Sequence, residues 1–149
     1  MPGPGTTQRT LLAALMLASL VLVYVFQRFD YFTFFGRLFG FDGRLYPYAA
    51  FAFNRALRLM LNDTACLVLI AIWFRDKSYT RVAGLLFLIE FFIVLPLYLW
   101  VKLSLEGVSE ISSPILSQVH RLIVNPMLMI LLMVAFLYQR SQESVSKQQ

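Results

Sequence analysis

The sequence predicts an all-α fold: a four-helix transmembrane bundle whose first loop is an aromatic-rich interfacial or re-entrant segment. Three observations predict it. The 149-residue chain is 59% hydrophobic and only 14% charged, where a soluble domain carries about 25% charged residues. Its mean hydropathy is +0.69. Four apolar stretches each approach the ~20 residues that carry a helix across a hydrocarbon layer of about 30 Å. The alternation of a membrane β-barrel is absent, and a helix is the open-ended structure that satisfies its own backbone in lipid.

The first span covers 10–27. It holds no charge and runs straight into bulky residues, Val25, Phe26 and Phe29, with no small-residue cleavage motif, so it is expected to stay as an anchor helix. The second covers 55–74 and the third 82–103. The fourth covers 115–138, and a polar tail follows over 139–149. Pro114 beside Ser112 and Ser113 suits a helix start. Pro96 and the Asn125-Pro126 step fall inside spans and are expected to kink them. One integral membrane domain accounts for the whole chain.

Charge sets the expected orientation. The net charge is +5, from 13 Lys and Arg against 8 Asp and Glu. Arg9, the turn RDKSYTR (Arg75, Lys77, Arg81) and the tail (Arg140, Lys147) fall on one side. The third loop carries Glu106 and Glu110, with Lys102 at its edge. The positive-inside rule then puts both termini in the cytoplasm of a bacterial inner membrane. Arg28, Arg37 and Arg44 in the first loop oppose that assignment. Bases at membrane ends meet anionic head groups, so the lipid bilayer is the expected partner and nucleic acid is not.

The first loop, 28–53, is crowded with aromatics, among them Phe29, Tyr31, Phe34, Phe39, Phe41 and Tyr46. Arginines and glycines interrupt them. Rings with interspersed bases favour the head-group layer, where the ring is buried and the polar atom stays wet. Such a loop plugs the end of a bundle or offers a docking surface to another membrane protein.

Ionisable groups at membrane depth need a partner or a task. In span two, Arg55, Arg58, Asn62 and Cys66 recur on one helical stripe with Asp63 beside it. Span three holds Glu90. In span four, Gln118, Arg121 and Asn125 form a second stripe, with His120 adjacent. Both stripes are expected to face the interior, because lipid rejects them. Matching depths suggest an Asp63–Arg121 ion pair, with His120, Asn62 and Asn125 as hydrogen-bond partners. The pair reads as structural glue, or as a pocket for a head group, a proton or a peptide carboxylate.

Cys66, His120 and Arg121 are the minimum for a thiolate nucleophile, a proton shuttle and an oxyanion holder. The apolar neighbours of Cys66 argue against a reactive thiol. No phosphate loop, zinc motif or serine-hydrolase motif occurs, and neither a metal site nor a cofactor is expected. Cys66 is the single cysteine, which removes any intramolecular disulfide or multi-cysteine metal site.

The stretches FNRALRLMLNDTACLVLIAIWF, LPLYLWVKL and SQVHRLIVNPMLMILLMVAFLYQ, with the aromatic loop, resemble the small multi-pass proteins associated with bacterial exosortases, of the exosortase F system-associated type. The resemblance is carried by Arg55, Arg58, Asn62, Asp63, His120, Arg121, Asn125 and Pro126. It implies a non-enzymatic accessory role in a protein-sorting system, with an exosortase-like protein as partner through 28–53. Two alternatives stand beside it: a small membrane enzyme or lipid- or peptide-binding protein using Cys66, His120 and Arg121, and a pore-forming oligomer.

Overall fold

The computed structural model describes residues 6–26, 28–40, 46–109 and 112–146. Among them every regular element is a helix. The expectations placed on Phe41, Arg44, Glu110 and Lys147 lie outside the described residues.

Helix α1, Thr6–Val25, packs along α3. Its half-buried residues, Ala13, Met16, Leu20 and Val23, recur every three or four positions and face that neighbour. Its other faces are exposed and apolar, with Leu11, Leu15 and Val21 pointing outward.

Helix α2, Tyr31–Phe39, occupies the aromatic loop. Asp30 caps it, accepting from the Thr33 amide at 3.2 Å and the Thr33 hydroxyl at 2.6 Å. Gly40 ends it at φ 77°, where a side chain would be strained. Asn54 pins α2 to α3: its Nδ2 donates to Asp30 at 2.8 Å and its Oδ1 accepts from the Phe32 amide at 2.9 Å.

Helix α3, Pro47–Phe74, has 28 residues, eight more at its start than the apolar stretch alone suggests. Pro47 opens it at a position where the missing N–H is harmless. Arg75, in the left-handed region at φ 56°, and Asp76, which accepts from the Ser78 amide at 2.8 Å, close a tight hairpin into α4, Lys77–Ile89. The third long helix then continues through a π turn, Glu90–Val94, into α5, Leu95–Leu105. Pro96 accounts for the turn's position. Proline cannot donate to the preceding turn, and a widened π turn absorbs it without a break.

Helix α6, Pro114–Val124, and α7, Met127–Ser146, replace the single fourth span expected. They are bent by 60° at Asn125-Pro126. Asn125 is extended at φ −93° and ψ 147°, the region a residue before proline favours. The Met127 amide turns back to the Asn125 carbonyl at 2.7 Å.

Two apolar layers fill the interior. Near the α3–α4 hairpin, Ile70, Phe74, Ala83, Met129 and Phe136 pack together. Toward α2, Leu59, Leu95, Tyr98, Leu116 and Ile123 form the second layer. Three helices are long and apolar enough to cross a membrane, and the bent α6–α7 pair makes four if it counts as one span. The 28- and 29-residue helices are about 42 Å long, which exceeds the ~30 Å hydrocarbon layer. The fold therefore belongs to the class of helical membrane proteins.

Candidate functional site

The polar residues of α3 lie in tiers. Nearest α2, Arg55 and Arg58 are half-buried. The Arg55 guanidinium stacks on Phe51, 3.4 Å from the ring centroid, and lies within electrostatic reach of Tyr98. Tyr98, from α5, meets His120 Nδ1 of α6 at 2.7 Å. Tyr98 and His120 thus tie α5 to α6, with Arg55 of α3 at the same level. Arg58 Nη2 donates to the Phe29 carbonyl at 3.2 Å, while its Nε is buried with no partner.

This end of the molecule is rich in positive charge. Arg55, Arg58, Lys102 and Arg121 all lie within electrostatic reach of His120. Two carboxyls answer them. Partial burial pushes the Asp30 carboxyl up, but hydrogen bonds from Thr33 and Asn54 outweigh it and hold it below the ordinary range. Asp30 reaches Arg58 electrostatically. Glu106 pairs with Lys102 at 2.8 Å. It also accepts from the amides of Ser112 and Ser113, at 3.2 and 2.9 Å, fastening the loop to the start of α6. The Lys102 ammonium, then those donors, hold the Glu106 carboxyl down at about 2.

Lys102 is 0% exposed, where the sequence suggested a base at a loop edge. The loop folds over it, and the Gly107 and Ser109 carbonyls accept from its Nζ at 3.4 and 3.0 Å. The i, i+4 spacing of Lys102 and Glu106 was the available signal.

Deeper, Asp63 and Glu90 are 1% and 4% exposed. Their carboxyls meet, and Asp63 Oδ2 and Glu90 Oε1 are buried without a hydrogen-bond partner. This corrects the ion pair expected between Asp63 and Arg121. Arg121 is exposed, and among the described residues the ion pair is Lys102–Glu106. The acids sit at the seam between the two apolar layers, Asp63 between Leu59 and Cys66, and Glu90 at the first residue of the π turn. Hairpin register explains the meeting: with the turn at Arg75–Asp76, Asp63 lies about as far before it as Glu90 lies after it.

The span-four stripe is also corrected. Gln118 and Arg121 are exposed and Asn125 is half-buried, while Leu116 and Ile123 turn inward. Asn62 is buried on α3. Cys66 is buried in the hairpin-side layer. It lies about 16 Å along α3 from Arg55, at 1.5 Å per residue, and His120 belongs to the tier of Arg55. The geometry therefore separates the thiol from the imidazole, and no nucleophile–base pair is assembled. Among the described residues no group of three metal-ligating side chains converges.

Comparison with protein-family models, with curated proteins and with solved structures gives no match.

Proposed function

We propose that this chain is a non-enzymatic accessory protein of a bacterial inner membrane. It crosses the bilayer four times, with α6 and α7 together as the broken fourth span. Both termini and the Arg75–Arg81 turn face the cytoplasm, in line with Arg9, Lys77 and Arg140 on that side. The aromatic end then lies at the outer surface, where α2 docks a partner membrane protein. The resemblance of the α3, α5 and α6–α7 sequences to exosortase-associated proteins supports an exosortase-type transpeptidase as that partner.

The observation that carries the docking role is the presentation of α2. Asp30 and Asn54 fix the helix on one side. On the other, Leu38 is 68% and Phe39 73% exposed, with Phe34 beside them. A rigidly held aromatic edge costs little conformational entropy on binding. The separation of Cys66 from His120 favours an accessory role over an enzymatic one.

The test is site-specific photocrosslinking in native membranes that contain the cognate exosortase. A probe at Phe34 or Phe39 is expected to link to it, and a probe at the exposed Trp73 near the hairpin is not. Equal crosslinking from both ends, or from neither, overturns the docking role.

A further inference from the structure

A crevice of about 380 Å³ opens between α1, the middle of α3 and the α6–α7 break. Its volume falls in the ~300–1,000 Å³ range of small-ligand sites. Leu20 and Val21 of α1 and Ile130 of α7 form apolar walls. Arg58 supplies the polar end, with Tyr24 beside it. The cause of the crevice is visible in the backbone. Pro126 cannot donate to the turn before it, and the 60° bend swings α7 away from the line of α6.

Two features select the occupant. The walls open between helices whose outward faces are apolar and exposed, so whatever enters comes from the bilayer. Arg58 brings a fixed cation whose Nε is buried and unpartnered. Its guanidinium reaches up to the Phe29 carbonyl, at the junction of α1 and α2, which is head-group level when α1 spans the membrane. Asp30, the carboxyl within its electrostatic reach, already has its oxygens bonded to Thr33 and Asn54. An acyl chain against Leu20, Val21 and Ile130 and a phosphate on Arg58 satisfy both ends at once.

We infer that this crevice is a binding site for one anionic phospholipid. The chain lies in the groove made by the Asn125-Pro126 break and the phosphate accepts from Arg58. The site is distinct from the docking edge of α2 and does not depend on a protein partner.

The test uses the purified full chain, equilibrated with vesicles of phosphatidylglycerol and phosphatidylcholine in equal amounts, then analysed by native mass spectrometry. The wild type is expected to retain one phosphatidylglycerol with about tenfold preference over phosphatidylcholine, the ratio worth one charged contact. Arg58→Gln should bring the two lipids to parity, and Arg58→Lys should keep most of the preference. Ile130→Trp, which fills the crevice, should lose both lipids. Lys77→Gln, in the distant hairpin, should behave as wild type. Equal retention of the two lipids by the wild type overturns the inference, as does undiminished preference in Arg58→Gln. Should Arg58→Gln not fold, by circular dichroism, Ile130→Trp decides: phosphatidylglycerol retained there overturns the site. A retained peptide in place of a phospholipid also overturns it.

Discussion

Replacing the buried acids Asp63 and Glu90 together, as Asp63→Val with Glu90→Met, is expected to stabilise the protein, whereas Glu90→Met alone destabilises it. Each acid leaves one oxygen buried without a partner, and an unmade buried hydrogen bond costs about 1–3 kcal/mol. Removing both orphans therefore recovers about 2–6 kcal/mol gross. Fitting two apolar side chains into the seam costs up to about 1.5 kcal/mol. The reference state lowers the gain further, because separated helices also keep the acids out of water. A net gain of about 1–2 kcal/mol remains, a five- to thirtyfold shift of the folding equilibrium. The single variant has the opposite sign. It sets Asp63 against a thioether and removes the one group it meets, at a cost of about 1–3 kcal/mol. Dodecyl sulfate titration in mixed micelles, followed by far-ultraviolet circular dichroism, measures all three proteins. A double variant less stable than wild type by the sum of the two singles would refute the reasoning, since the acids would then hold partners other than each other.

Three further outcomes follow from the same geometry. Glu106 titrates at about 2 in the folded chain against 4.5 ordinarily, so its tie to Lys102 and α6 is complete above pH 4.5 and is lost as pH falls toward 2. Protection factors of the Ser112 and Ser113 amides, taken against the intrinsic exchange rate at each pH, should fall over that window, and in Glu106→Gln they should be low and flat; protection that persists unchanged to pH 2 contradicts the tie. Tyr98→Phe removes the 2.7 Å bond to His120, and a double-mutant cycle with His120→Phe should give a coupling of about 0.5–1.5 kcal/mol; zero coupling would mean the contact contributes nothing. Asn54→Ala removes both bonds that pin α2, and exchange at the Phe32 amide should quicken roughly tenfold or more, for a loss of at least ~1.4 kcal/mol, while α3 stays protected.

The long apolar helices were legible because lipid imposes a length and a composition that few other environments demand. Their ends were not. Pro47 extends α3 through Phe51 and Phe53, residues that read as loop because arginines and glycines surround them. The face of α6 was misread for a physical reason. Leu116, Val119 and Ile123 recur at the same spacing as Gln118, Arg121 and Asn125. Arg121 lies about 10 Å from the start of α6, close enough for a long side chain to reach head groups, so the polar stripe did not have to turn inward. Asp63 and Glu90 were both singled out, but their meeting follows from counting outward from the Arg75–Asp76 turn rather than from depth along separate spans. The π turn has no composition of its own, and Pro96 was its single trace. The i, i+4 spacing of Lys102 and Glu106 signals their pairing, but the burial of Lys102 depends on how Gly107 and Ser109 fold back, which that spacing does not encode.

The central claim is that α6 and α7 make one crossing, so that the chain passes the membrane four times. Single cysteines at Ser78, Ser109 and Ser141, placed in a Cys66→Ala background, test it with a membrane-impermeant maleimide applied to right-side-out and inside-out vesicles. Four crossings predict that Ser78 and Ser141 label from the cytoplasmic face and Ser109 from the opposite face. Labelling of Ser141 from the same face as Ser109 would make the bent pair re-entrant and contradict the account.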